Sequence, residues 1–266
     1  MKMIGLDTAL VRRVVNSGER LDERQFDEMR KVSIQTGAVS SAEGSARVTI
    51  GDTLVVAGIK MGVGTPFPDS PNEGVLIVSG EFIPFADPLF EPGPPREDAI
   101  ELSRLVDRAI RESKVIDMKK LCITAGEKVW MVNVDIDVID NGGNMVDAAS
   151  IAAAAALATT RLPELDKDSR PVFGKPTNVK LPMSGIPLCT TFVKIGNSIL
   201  LDPSLSEYQT LDARLTVGTV DKDGIKLCSM QKNGAAGFSM DEIESMISLA
   251  EEKGEEMRKL VKQAAK

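Results

Sequence analysis

The sequence predicts an α+β fold of two halves, each a run of strands closed by a helix, with the halves sharing one core. Three observations carry this. Strand-patterned segments precede helical ones early in the chain, and the same plan recurs after residue 181. A stretch with Pro163, Pro171 and Pro176 separates the two runs. The helix ending the first run has Ala152 to Ala156 in a row, and side chains that small predict close packing. The repeat is one of architecture, since the halves share no convincing sequence identity.

In chain order, Leu6 to Val15 reads as a short helix, with Asp7 near its start, apolar residues at Leu6, Leu10, Val11, Val14 and Val15, and Gly18 as its stop. Strand patterning follows at Lys31–Thr36, Ser45–Ile50, Thr53–Met61 and Gly74–Ile83. Gly51-Asp52 is a hairpin signal, and the run Val75 to Val78 reads as a strand buried on both faces. Glu91-Pro92-Gly93-Pro94-Pro95 punctuates the chain before a helix from Glu97 to Glu112. Strands then return at Lys120–Ala125 and Val129–Ile139, Asn141-Gly142-Gly143 turns, and the Ala-rich helix spans Val146 to Thr160. Leu162 to Lys180 reads as a connection. Beyond it Val193–Leu201, Asp212–Val220 and Ile225–Met230 are strand-like, with a hairpin turn at Lys222-Asp223-Gly224. Ser239 and Glu242 fit a capping box opening a last helix, whose stripe is Met240, Ile243, Met246, Ile247 and Ala250. The division is 1–18 as an N-terminal helical extension, 19–162 as the first half, 163–180 as the connection and 181–266 as the second half.

Composition narrows the function. The chain has 266 residues, 42% hydrophobic and 27% charged, an ordinary soluble make-up. No apolar run approaches the ~20 residues that span a bilayer. Arg12 and Arg13 interrupt the one apolar patch near the N-terminus, unlike a secretory signal. A cytoplasmic protein is the simplest expectation. Cys122, Cys189 and Cys228 are widely spaced and fit small core residues better than a disulfide framework or a zinc motif. Histidine is absent, which removes the usual general base and the commonest metal ligand. The net charge is −7 and the pI near 4.9, so bulk charge does not draw nucleic acid. Contact with RNA would need a local basic feature or a more basic partner.

Such a feature exists on the helix after the Pro-rich turn. Arg104, Arg108 and Arg111 recur at i, i+4, i+7 and share a narrow sector, opposite Leu102, Leu105, Val106 and Ala109. By spacing alone this sector reads first as a solvated face with Glu101–Arg104 and Arg108–Glu112 pairs. Asp135 and Asp137 would share one strand face, as a metal pair or as ordinary surface acids. No Walker A motif is present, and Gly62-Val63-Gly64 reads as a loop. Trp130 and Tyr208 are the only aromatics besides eight Phe, so a base-stacking platform is not evident and RNA contact should be to the backbone.

Several stretches together resemble the RNase PH family: Arg20-Leu21-Asp22-Glu23-Arg24, Gly44-Ser45-Ala46, Gly51-Asp52-Thr53 with Val55-Val56-Ala57, Asp140-Asn141-Gly142-Gly143, and Leu201-Asp202-Pro203 leading to Glu207. Their order and spacing cover roughly residues 19 to 250. Phe90 to Pro95 followed by Ile100 to Arg108 is similar to one branch, the non-catalytic RNase-PH-like subunit of the archaeal exosome. The resemblance implies the RNase PH fold, also described as ribosomal protein S5 domain 2-like. It implies a six-membered ring alternating with a catalytic RNase-PH-like sister subunit, capped by RNA-binding proteins. Such a ring threads single-stranded RNA inward and cleaves its 3′ end with inorganic phosphate.

Active members continue the Gly-Gly turn with Thr or Ser and then Arg, which hold the phosphate. Here Asn144 and Met145 follow, and methionine cannot clamp a phosphate. The family's two aspartates after the Leu201-Asp202 motif fall on Tyr208 and Arg214. Asp212, Asp135, Asp137 and Asp140 remain as other acids nearby. The resemblance therefore implies no catalytic residue, no metal and no cofactor in this chain. It also places Arg104 and Arg108 at positions that contact RNA phosphates in the archaeal branch; Arg111 and Arg96 carry no such match. Three readings stay open: a ring subunit that structures its partner's site and holds RNA, an active phosphorolytic exoribonuclease with another carboxylate set, and a scaffold that never touches RNA.

Overall fold

The structure is a computed structural model that describes residues 8–266. Helix α1 (Thr8–Asn16) buries Val11 and Val15 in a cluster with Val193, Ile195 and Leu200 of the second half. It ends at Gly18, whose positive φ lets its N–H bond the Val15 carbonyl at 3.0 Å. The expected helix start at Leu6 and Asp7 lies outside the described residues.

The first sheet is built from β1 (Val32–Thr36), β2 (Gly44–Ile50), β3 (Thr53–Gly64), β4 (Val75–Phe82), a short β5 (Cys122–Thr124) and β6 (Lys128–Asp140). Its order is β1-β2-β3-β6-β4, with β5 also on β6; only β4 runs parallel to β6. The turn at Gly51-Asp52 joins β2 to β3 and pairs Ile50 with Thr53. Helix α2 (Glu97–Ser113) intervenes between β4 and β5, and α3 (Met145–Thr159) follows β6. The second sheet holds β9 (Pro187–Ile195), β10 (Ser198–Leu201), β11 (Ala213–Asp221) and β12 (Ile225–Gly234) in the order β10-β9-β11-β12, with the short α4 (Leu205–Tyr208) before β11 and α5 (Met240–Ala264) at the end.

One core joins the halves. Helices α2 and α3 each touch strands of both sheets, and the main cluster runs from Val48 and Ile136 through the alanines of α3 to Leu188, Val220 and Val261. Every residue of α3 from Val146 to Leu157 is buried, so the alanine run lets both sheets approach one helix. Gly44 shows how closely: a Cβ there would lie 2.4 Å from the Ala156 carbonyl oxygen. Ser239 accepts from the Glu242 N–H and the reciprocal bond is also made, so the capping box of α5 forms as expected.

Several expectations change, and the expected strand Lys120–Ala125 is shortened to Cys122–Thr124 because Lys120 and Leu121 belong to a 3-10 turn. Ile77 is 43% exposed, because β4 is a sheet edge covered on one face rather than two. The segment Val193–Leu201 is two strands, broken by a turn in which Gly196 takes positive φ. The Pro-rich stretch after Arg161 is itself a two-stranded hairpin, β7 (Arg161–Leu165) with β8 (Pro171–Lys180); its prolines sit where register shifts interrupt the ladder or at the strand start. Met240 of the α5 stripe is exposed at the first turn, while Met246 and Ala250 are buried. Of the cysteines only Cys189 is fully buried; all three are free thiols.

Candidate functional site

The site forms where β6 ends and α3 begins. Asn141-Gly142-Gly143 reverses the chain, and Asn144 takes a left-handed conformation (φ 50) before α3. Gly143 is obligatory here: its φ is 90 and a Cβ would lie 2.4 Å from the Leu205 nitrogen. The Asn144 amide donates to Asp147 Oδ2 at 2.8 Å and to Asp202 Oδ1 at 2.7 Å. Arg30 donates to the Gly142 carbonyl at 2.8 Å and binds both oxygens of Asp202, at 2.9 and 2.8 Å. Arg24 reaches the same carboxylate at 3.2 Å. Burial would raise the Asp202 carboxyl, but the hydrogen bonds and charge of Arg30 outweigh it and hold it below its ordinary range. Arg20 and Glu207 form a second buried pair at 2.6 Å. The Arg20 to Arg24 motif thus braces the back of the turn.

In front of this brace lies a cavity of about 180 Å³ lined by Met145, Tyr208 and Arg214, with Asn141, Asp98 and Glu101. The three positions that depart from the active pattern are therefore neighbours in space. Arg214, 2% exposed, donates to the Tyr208 hydroxyl and pairs with Glu101 at 2.6 Å. Glu101 also accepts from Asn233 at 3.0 Å. The cavity's buried cation is paired with this chain's own Glu101, and the Met145 thioether in its wall offers no hydrogen-bond donor.

Three of the acids singled out from the sequence are engaged or sit elsewhere. Asp212 turns toward α1, where it binds Arg12 at 2.8 Å and accepts from Gly196. Asp135 accepts from the Ser79 hydroxyl at 2.6 Å. Asp137 is raised above the ordinary carboxylate range, first by burial and then by the nearby charges of Glu81 and Asp135. Among the described residues no group of three or more acids or cysteines could hold a metal ion.

Helix α2 presents its arginines as follows. The apolar side, Leu102, Leu105, Val106 and Ala109, is buried. Arg104 is 65% exposed and lies 3.7 Å from Asp107, too far for a hydrogen bond. Arg108 is exposed and donates to the Gln231 side chain at 2.8 Å. The pair Glu101–Arg104 does not form, because Glu101 is engaged with Arg214 and Asn233, and Arg108 turns to Gln231 instead of Glu112. Arg111 differs: it binds Asp107 at 2.6 Å and the Leu76 carbonyl at 3.1 Å, and so ties α2 to β4. Arg96 pairs with Glu91. With Glu101 in the cavity wall, Arg104 and Arg108 follow roughly 4.5 and 10.5 Å further along the helix axis at the helical rise. Sequence reasoning missed Glu101 as the partner of Arg214; a lone charge in the otherwise uncharged run Ala213–Val220 of β11 was the signal that a carboxylate must meet it.

Asp147 gives this site a pH signature. It is wholly buried and accepts from Asn144, from the Thr191 N–H and from the Thr191 hydroxyl. Burial nonetheless pushes its carboxyl up to about 7, with Asp202 adding to the rise. A carboxyl raised in the folded state contributes stability below its ordinary pKa, and that stability is lost as pH rises toward about 7. Asp147→Asn removes the titration while keeping an amide able to meet the same partners. The melting temperature of the wild type relative to Asp147→Asn is expected to fall between acidic and neutral pH. A constant difference across that range would contradict this assignment.

Comparison with known proteins agrees with the geometry. The 3′ exoribonuclease family, domain 1, matches residues 28–163 and domain 2 of the same family matches residues 185–253. The exosome complex component Rrp42 of Methanocella arvoryzae is 49% identical over 245 residues, 92% of this chain and 91% of its own length. Among solved structures, a chain of the Archaeoglobus fulgidus exosome with RNA bound to the active site is 41% identical with a TM-score of 0.88, covering 95% of this chain and 96% of its own. A chain of an archaeal exosome core is 38% identical with a TM-score of 0.84, covering 96% of both. The expected RNase PH fold is the one observed, and with both family domains matched in order the chain belongs to the 3′ exoribonuclease, or RNase PH, family.

Proposed function

We propose that this chain is a non-catalytic ring subunit of an archaeal-type exosome, a 3′-to-5′ phosphorolytic RNA-degrading complex. In this reading it completes the active site of a catalytic RNase-PH-like sister subunit and holds RNA backbone through Arg104 and Arg108. RNA-binding cap proteins close one face of the ring. The observation that carries the reading is the cavity in which Met145, Tyr208 and Arg214 come together with their charge already neutralised by Glu101. The exposure of Arg104 and Arg108 beside it supports the RNA role, since guanidiniums held by one long ion pair and one neutral amide are free to exchange for phosphate. The Rrp42 relatives and the exosome chains support the ring.

A scaffold without RNA contact is the second reading, favoured by the same Asp107 and Gln231 contacts taken as permanent. Ring assembly tests the common part of both. The first sheet ends on β4, with Ile77 exposed, and the second on β12, where Leu227 and Met230 are each 44% exposed; association covers such edges. Mixed with its catalytic sister at micromolar concentration, the chain is expected to elute as a closed hetero-oligomer of defined mass. A chain that stays monomeric in the mixture refutes the ring.

A further inference from the structure

A groove of about 760 Å³ lies away from the degenerate site, at the C-terminal end of α2. Its floor is apolar, with Leu76, Ile110, Ile116 and Met183, and the ring of Phe67 stands at its wall, 59% exposed. Its rim is basic: Arg111, Lys114, Lys119, Lys120 and Lys222 face two carboxylates, Glu73 and Asp117. In a chain whose formal net charge is −7, that excess of cations in one groove is a local reversal of sign. Some of these cations are engaged. Arg111 is bound to Asp107, Lys120 lies 3.5 Å from Asp117, and the Lys222 ammonium donates to the Lys114 carbonyl. The side chains of Lys114 and Lys119 have no ion-pair partner among the described residues.

An apolar trough with one exposed aromatic ring and a cationic rim suits single-stranded nucleic acid, whose bases stack while its phosphates meet ammonium groups. Inorganic phosphate would use the rim and leave Phe67 and the floor idle. The groove also meets the arginine-bearing side of α2. Arg111 lines it and stands one helical turn beyond Arg108; Lys114 is ten residues past Arg104, roughly 15 Å along the helix. We propose that this groove is a second single-stranded RNA site, in which Phe67 stacks on a base and Lys114 and Lys119 contact the backbone, extending the path that begins at Arg104 and Arg108. The inference rests on the RNA-holding reading of those two arginines for its direction along the chain.

The test uses the complex reconstituted with the catalytic sister, in phosphate-free buffer so that no RNA is consumed. Fluorescence anisotropy against salt compares oligoadenylates of about 4 and about 16 nucleotides, the low and high ends of single-strand site sizes. Lys114→Glu with Lys119→Glu is expected to weaken binding of the long RNA and to lower its salt slope by roughly 0.7 for each lost contact. Phe67→Ala is expected to weaken the long RNA about 5-fold or more. Neither variant should alter the short RNA, whereas Arg104→Glu with Arg108→Glu should weaken both. Long-RNA binding unchanged in both groove variants, with the arginine variant defective, overturns the groove and leaves the arginine reading standing. The converse result keeps the groove and removes the arginines from the path. Groove variants that fail to join the ring place the lysines in a subunit interface and overturn the proposal.

Discussion

Reversing two exposed charges of α2, Arg104→Glu with Arg108→Glu, is expected to leave the ring assembled and to slow RNA degradation by the complex at least tenfold. Both side chains point away from the buried Leu102, Leu105, Val106 and Ala109, so replacing them removes no core packing. Surface changes of this kind usually shift stability by less than ~0.5 kcal/mol. A charge-assisted hydrogen bond to phosphate contributes about 1.5 kcal/mol or more, roughly tenfold in affinity per contact. The loss should be alike for RNAs of different sequence, because backbone contacts carry no base information. It should shrink the salt dependence as well, since two fewer counterions are released. Degradation rate against salt measures both effects. An unchanged rate and slope would leave the scaffold reading; a ring that fails to form would move these arginines into the subunit interface.

The largest effect on folding is expected at Asp202. Its carboxylate is 0% exposed and binds Arg30, Arg24 and the Asn144 amide together, so it ties the first strand region, the Gly-Gly turn and the second half to one point. Removing one partner of a buried charge cluster costs about 3–5 kcal/mol, because the other charges stay behind uncompensated. That is a large share of the 5–15 kcal/mol that holds a typical domain together. Asp202→Ala should therefore shift the urea midpoint far down or prevent folding. Asp202→Asn retains an acceptor and should lose less. An alanine variant as stable as wild type would show that the network is not what holds the turn. The pH signs also oppose each other across Asn144. Asp202, held below its ordinary range, contributes stability that is lost as pH falls through its folded pKa, whereas Asp147 loses its contribution as pH rises.

The α2 helix was legible because local rules agree with the tertiary ones there. The 97–112 pattern became Glu97–Ser113, and the stripe chosen by periodicity is the buried one. The 75–78 run misled because an apolar run does not say whether a strand is central or at an edge, and β4 is an edge. The Leu162–Lys180 stretch hid a hairpin because prolines are compatible with an irregular ladder, and the pairing of Arg161 with Lys180 spans a separation that no local pattern encodes. At the site, the departures at Met145, Tyr208 and Arg214 could be named from the resemblance, but their convergence on Glu101 could not. A long-range ion pair leaves no periodic trace. The bracing role of Arg20, Arg24 and Arg30 was hidden for the same reason, and the exposure of Phe67 depends on a loop with no pattern of its own.

The central claim is that this chain contributes structure and RNA contact but no chemistry. It is tested most directly by incubating RNA and inorganic phosphate with the purified chain alone, with its catalytic sister alone and with the two together, and measuring release of nucleoside diphosphates. The account predicts none from this chain alone, none after Met145→Arg alone because residues acting as a unit are not restored singly, and release from the assembled pair. Phosphate-dependent shortening of RNA by the isolated chain, at a rate that changes when Met145 is substituted, would contradict it.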